Sequence, residues 1–222
     1  MKFSKSLLLS VFSGILLGLS WPTYGISSLI FISFIPLLYL INVYHKRFSF
    51  QLFFLIYLTF IIWNSISTSW LYYASFEGML FAIVVNSLLM TFIFSIYKII
   101  SLKINEKLSF IFLISLWISF EKFHLNWDFS WPWLNLGNVF SEKIDWIQWY
   151  EYTGVFGGTL WILIINILLF KLLIFFLNKN KLKKQFIYIL TALIIPIIIS
   201  KFIFHQTNLS GELGKIFIMQ PN

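Results

Sequence analysis

The sequence predicts an all-α protein that crosses a membrane about seven times. Hydrophobic residues make up 59% of its 222 residues, against roughly 45–50% in soluble domains. Charged residues make up only 11%, against about 25% in soluble domains. A chain of this composition must satisfy its backbone hydrogen bonds internally within lipid, which favours helices. We therefore expect a polytopic helical bundle.

Seven apolar runs are candidate spans, at residues 6–20, 26–43, 49–67, 78–100, 107–125, 155–177 and 186–204. No small-residue cleavage site follows the first run, which indicates an uncleaved helix. The second run contains Pro36, which a membrane helix tolerates when neighbours satisfy the freed carbonyl. The fifth run is short between Lys107 and Glu121, so it crosses only if Lys107 reaches back to the interface.

The distribution of charge predicts the orientation. With the N-terminus cytoplasmic and seven crossings, most of the sixteen basic residues fall on the cytoplasmic side and most of the eight acidic residues fall outside. This is the positive-inside pattern, and it places the C-terminus outside the cytoplasm. The net charge of +8 is then explained by topology, and we expect no nucleic-acid partner.

Tryptophan is concentrated in residues 117–161, which contain most of the ten tryptophans. Its ring is apolar and its N–H is polar, so tryptophan favours the membrane–water interface. We expect the part between the fifth and sixth spans to lie on the membrane surface. Trp127, Trp131, Trp133 and Trp149 are candidates for substrate contact. Simple anchoring in the interface explains the same residues equally well.

Two glycine pairs have the four-residue spacing that lets membrane helices approach closely. Gly14 and Gly18 lie in the first predicted span, and Gly154 and Gly158 lie at the start of the sixth. All four are candidates for helix packing.

The sequence offers little catalytic chemistry. It has no cysteine, which excludes a thiolate nucleophile or a cysteine-bound metal within these residues. Glu121, His124 and Asp128 could share one helical face, where His124 could activate a serine such as Ser130 or Ser141. Polar residues at a helix end are the simpler interpretation. We expect no catalytic residue, no metal site and no cofactor.

Several motifs point to one family. They are FSWPWLNLGN at residues 129–138, IQWYEYTGVFGGTLW at residues 147–161, SWP at residues 20–22, and IFIMQPN at residues 216–222. Together they resemble the membrane region of bacterial apolipoprotein N-acyltransferases. In that family the last motif resembles the first strand of the nitrilase-like catalytic domain. The resemblance thus implies a transmembrane domain at residues 1–205, then a linker and first strand at residues 206–222.

The resemblance implies transfer of a fatty acyl chain from a phospholipid to the N-terminal cysteine of a lipoprotein, at the bacterial inner membrane. In the family, a Glu-Lys-Cys triad of the nitrilase-like domain performs this transfer through a thioester. We therefore expect a membrane module cut off before catalysis begins and inactive alone. Its partners would be the membrane, phospholipid and lipoprotein acyl chains, and a nitrilase-like domain if one is encoded separately. The alternative is a stand-alone transporter or structural membrane protein.

Overall fold

The computed structural model describes residues 2–22, 25–44, 48–178 and 183–206, and all regular structure within them is helical. The fold class is therefore confirmed as all-α. The α-helices are α1 Phe3–Leu19, α2 Ile30–Ser33, α3 Ile35–Val43, α4 Phe50–Thr68, α5 Phe76–Ser101, α6 Glu106–His124, α7 Tyr150–Leu177 and α8 Lys183–Gln206. The predicted linker and strand at residues 206–222 lie outside the described residues, apart from Gln206 at the end of α8.

Four helical stretches are long and apolar enough to cross a membrane, and they include α4, α5, α7 and most of α8. The stretches Phe3–Leu19 and Ser27–Val43 are shorter apolar helical stretches. Helix α6 is not among these six, since charged residues at both of its ends shorten its apolar part. The structure thus has the apolar helices of a membrane protein, whereas seven crossings and their orientation stay predictions.

Helices α1 and α4 pack closely along their lengths because small residues line the contact. The Thr59 hydroxyl donates to the Ser10 carbonyl oxygen at 3.1 Å. A methyl group on Gly14 would lie 2.6 Å from the Thr59 carbonyl oxygen, and one on Gly18 would lie 2.7 Å from Ile66. The first glycine pair therefore lies at a helix contact with no room for a side chain.

The second predicted span is not one continuous helix. A 3-10 turn at Ser27–Leu29 leads into α2, and α3 begins after a break at Phe34. Pro36 has no N–H and its ring crowds the preceding turn, so the regular ladder fails here. The side chain of Asn166 from α7 enters the break: it accepts from the Phe34 N–H at 2.9 Å and donates to the Ile30 carbonyl at 2.8 Å.

The second glycine pair does not form one packing face. Helix α7 begins at Tyr150, before the predicted span, and is interrupted at Gly154, where φ is +64°. A methyl group on Gly154 would meet nothing within 4 Å, so this glycine serves a backbone conformation that other residues rarely adopt. Gly158 is buried, and a methyl group on it would collide with the Tyr150 ring and lie 3.0 Å from the Cα of Gly137.

The core at the centre of the bundle is aromatic. Trp117 of α6 is fully buried, and its ring lies 5.7 Å from Phe34, 6.0 Å from Phe60 and 5.7 Å from Phe94. The helix break, α4 and α5 therefore all meet α6 at one position. Burying an aromatic side chain of this size stabilises the fold strongly. It also fixes the end of α6 from which the tryptophan-rich segment starts.

Candidate functional site

The segment between α6 and α7 folds as an ordered cap on one end of the bundle. It contains three 3-10 turns, at Pro132–Leu134, Leu136–Phe140 and Ile144–Trp146. Its apolar side chains anchor it in the core, and the buried ones are Leu134, Leu136, Val139 and Phe140. We call residues 125–149 the tryptophan cap. Because its position is fixed by buried side chains, its tryptophans have defined places.

Glu121 joins the cap to two helices. Its side chain is buried, with 1% of the residue exposed. The carboxylate accepts from the Trp117 indole N–H at 3.0 Å, the Leu136 backbone N–H at 2.7 Å and the Thr159 hydroxyl at 2.7 Å. No ion pair to it is found in the described part of the chain. Three hydrogen bonds replace the lost water, so the group holds α6, the cap and α7 together.

A second set of hydrogen bonds extends this network to Gly137. Its N–H donates to the Thr159 hydroxyl oxygen at 3.1 Å, and its carbonyl accepts from the Tyr150 hydroxyl at 2.9 Å. A methyl group on Gly137 would collide with the Val155 carbonyl. The close approach of cap and helix therefore requires glycine at this position.

His124 lies among aromatic rings. Its ring centroid is 5.3 Å from Phe120, 5.3 Å from Trp127 and 6.0 Å from Trp131. Both ring nitrogens are buried, and neither has a hydrogen-bond partner among the described residues. A general base must reach the proton that it removes. This histidine is packed as an aromatic side chain instead.

The hypothetical cluster of Glu121, His124 and Asp128 does not form. Glu121 bonds to the cap and α7, His124 has no hydrogen-bond partner, and Asp128 is exposed. Within residues 2–22, 25–44, 48–178 and 183–206, no group of three or more histidine, cysteine, aspartate or glutamate side chains is placed to hold a metal ion. Neither Ser130 nor Ser141 is hydrogen-bonded to the histidine.

The four candidate tryptophans occupy different surroundings. Trp127 and Trp131 lie together beside His124, with ring centroids 6.4 Å apart. Trp133 is 39% exposed and packs edge-on against Trp70 at 5.4 Å. Trp149 lies further along, 5.9 Å from Trp161. The structure therefore brings two of the four together and leaves the others at separate positions.

Trp133 borders a hollow of about 610 Å³ between the ends of α1 and α4 and the tryptophan cap. This volume falls within the range of about 300–1,000 Å³ that is typical of ligand pockets. Its walls are mainly apolar and aromatic with a few polar groups, and they include Trp21, Ile66, Ser69, Trp70, Trp133 and Asn138. An apolar chain with a polar end would suit such a lining.

Sequence reasoning missed Trp21 and Trp70 as lining residues of this hollow. Each follows a predicted span closely, where a tryptophan is typical of the membrane–water interface. The signal in the sequence is that the first and third predicted spans are each followed within three residues by a tryptophan, on the same predicted side. What it does not contain is the close α1–α4 contact that brings the two ends together.

Comparisons with known proteins agree on one family. The family model described as the apolipoprotein N-acyltransferase N-terminal domain matches residues 13–168. The apolipoprotein N-acyltransferase of Chlorobaculum tepidum is 25% identical over 227 residues, covering 99% of this chain and 42% of the relative. That of Geobacter metallireducens is 28% identical over 178 residues, covering 76% of this chain and 34% of the relative.

The chain therefore spans less than half the length of the curated relatives that it matches. No solved structure matches it significantly. The family model nevertheless covers most of the chain, including α4 to α6, the tryptophan cap and the first part of α7. It thus includes the motifs at residues 129–138 and 147–161 and the Glu121 network. On this basis the chain belongs to the apolipoprotein N-acyltransferase family.

Proposed function

We propose that this chain is the membrane module of an apolipoprotein N-acyltransferase, and that the hollow beside Trp133 receives an acyl chain of its substrates. The observation that carries the proposal is the hollow itself, an apolar and aromatic cavity of about 610 Å³ under the tryptophan cap. The matching family acts in lipoprotein maturation, so the occupants would be acyl chains of a phospholipid or a lipoprotein.

Different lining residues suit the apolar and the polar part of an acyl ester. Ile66 and Trp70 offer apolar surface for a hydrocarbon chain, and each buried methylene group contributes about 0.8 kcal/mol. Ser69 and Asn138 offer polar groups for the ester end. The module would thereby hold the reacting ester at the membrane surface, while the acyl transfer itself takes place in the domain that supplies the nucleophile.

The module itself supplies no nucleophile of the family's kind. Acyl transfer through a thioester needs an activated thiolate, and these 222 residues contain no cysteine. We propose that a nitrilase-like domain provides that thiolate. The tryptophan cap, which lies at the same end of the bundle as the hollow, would face this domain.

We further propose seven crossings of a bacterial inner membrane, with the N-terminus in the cytoplasm and the C-terminus outside. The packing supports this arrangement. Helices α1, α4 and α6 all end near the cap, and α7 begins there. Helices that run in the same direction at the first, third and fifth positions are what alternating crossings require.

Cross-linking with a phospholipid that carries a photoreactive group near the end of one acyl chain tests the hollow. We expect adducts on Leu19, Ile66 or Trp70, and we expect excess unlabelled phospholipid to remove them. Trp133→Ala should reduce these adducts severalfold. Tyr73→Ala is the matched control, because Tyr73 is 91% exposed nearby and does not line the hollow.

Adducts confined to the outer surface of the bundle, for example on Leu8 and Phe12, would contradict the proposal. These side chains are 68% and 55% exposed, so any lipid that solvates the bundle reaches them. Competition by a diacylated lipopeptide would show that the lipoprotein substrate uses the same hollow.

A further inference from the structure

A second hollow lies at the opposite end of the bundle from the tryptophan cap. It has a volume of about 300 Å³ and is lined by the ends of α3 and α5, the start of α6 and the later part of α7. In the proposed orientation this end faces the cytoplasm. The acyl-transfer function makes no use of it.

The Lys98 side chain lines this hollow. Lys98, in the last turn of α5, is only 4% exposed. No hydrogen bond or ion pair from its ammonium group is found among the described residues. Taking an ammonium group out of water is expensive unless an opposite charge accompanies it. The hollow beside it is where such a charge would lie.

The carboxylate in the lining of the hollow, that of Glu106, already has a partner. Glu106 pairs with Lys171 at 3.5 Å, and the Lys171 ammonium group also lies 5.0 Å from the centre of the Phe110 ring. Among the described residues that line the hollow, the charged side chains are thus Lys98 and Glu106, and the Glu106 carboxylate already has a partner. The Lys98 ammonium group is left without one among these residues.

We propose that this hollow binds a phosphate group, presented by a phospholipid headgroup or as a free anion. Lys98 would donate hydrogen bonds to the phosphate oxygens, and Leu38 and Phe170 would contact the apolar part of a lipid. Basic pockets between membrane helices at the cytoplasmic interface suit lipid headgroups. A charged residue within a membrane helix is retained where it has such a partner.

Native mass spectrometry of the full chain tests the proposal with three probes, namely phosphatidylglycerol, phosphatidylcholine and inorganic phosphate. We expect saturable binding of at least one of them. Lys98→Met should weaken it about tenfold or more, the loss expected for one charge-assisted hydrogen bond. Lys98→Arg should retain binding, which separates loss of charge from loss of folding. Lys107→Met, an exposed lysine at the start of α6, is the matched control and should bind normally.

The probes also distinguish the source of the phosphate. Binding of either phospholipid without inorganic phosphate assigns a lipid headgroup, and the reverse assigns a free anion. Equal binding by the wild type and Lys98→Met would overturn the proposal. A Lys98–Glu106 pair bridged by water would also overturn the proposal. In that case Glu106→Gln would lower thermal stability as much as Lys98→Met does. An anion site instead predicts that Glu106→Gln leaves binding of the probe unchanged or makes it tighter.

Discussion

The carboxylate of Glu121 shows how a single residue can connect the cap with the bundle. Each of its three donors belongs to a different part of the chain: the indole of Trp117 in α6, the backbone of Leu136 in the cap and the hydroxyl of Thr159 in α7. A buried acceptor that satisfies three donors is hard to remove, because each unpaired donor keeps its desolvation penalty.

We therefore predict that Glu121→Ala lowers the free energy of unfolding by about 3 kcal/mol or more, from roughly 1–3 kcal/mol for each unpaired buried donor. Titration of the purified chain from mild detergent into dodecyl sulfate, followed by circular dichroism, measures this change. Glu121→Gln keeps an acceptor oxygen and should cost less.

Asp128→Ala is the control for the loss of a carboxylate, since Asp128 is exposed in the same region. It should change stability by less than about 0.5 kcal/mol, as surface substitutions usually do. If Glu121→Ala were equally mild, the network would not hold the cap in place.

The sequence could not assign this role to Glu121. Its spacing from His124 and Asp128 predicts a shared helical face, and local spacing is all that one helix provides. The real partners include Leu136 and Thr159, which lie 15 and 38 positions away. Such partners depend on how the cap folds back, which no periodic pattern encodes.

Among the elements, the broken second span shows what hydropathy leaves out. The apolar run predicts a helix over residues 26–43, and helical segments do occupy most of it. Pro36 marks where the ladder weakens. The apolar run does not show which distant group satisfies the backbone at the break. In the structure the Asn166 side chain bridges the Ile30 carbonyl and the Phe34 N–H, the pair that a regular helix would join directly.

We predict that Asn166→Leu destabilises the chain by about 2–4 kcal/mol, because two buried backbone groups lose their partners. The loss of protection should be largest near the break rather than uniform over the chain. Hydrogen exchange at the amides of residues 30–38 should accelerate more than exchange in α4 or α5.

Asn178→Leu serves as the control on the same helix, since Asn178 is exposed at the end of α7. It should leave exchange at residues 30–38 unchanged. Equal exchange in Asn166→Leu and the wild type would show that the break needs no bridging side chain.

At the scale of the whole molecule, the sequence predicts the helical class and the helix positions well. The observed α4 and α5 differ from the predicted spans by one or two residues at each end, because long apolar runs leave few alternatives. The early start of α7 and its interruption at Gly154 were missed. A lone glycine in a membrane helix signals packing as readily as a positive φ.

The proposed orientation leads to a labelling prediction. The natural chain has no cysteine, so a single introduced cysteine reports its own side. We expect a membrane-impermeant thiol reagent added to whole spheroplasts to label Asn126→Cys but not Asn178→Cys until the membrane is opened. Labelling of both from the same side would contradict a crossing by α7, which lies between the two positions.

The last prediction concerns activity of the chain without a partner. Transfer through an acyl-enzyme requires a nucleophile activated by a neighbouring base. No cysteine exists in the chain, and the one histidine in the cap region, His124, has both nitrogens buried without partners. We therefore expect the purified chain to add no third acyl chain to a diacylated lipopeptide in the presence of phospholipid, as read by mass spectrometry.

Co-expression with a catalytic domain distinguishes a folded module that lacks its own nucleophile from a module that is misfolded. A nitrilase-like domain from a relative, supplied as a separate polypeptide, should produce the triacylated product only when the module is present. Trp133→Ala in the module should lower that product severalfold, whereas Tyr73→Ala should not, because only the first side chain lines the hollow. Turnover by the chain alone that His124→Ala abolishes would instead show that the packed histidine becomes accessible and acts as the base.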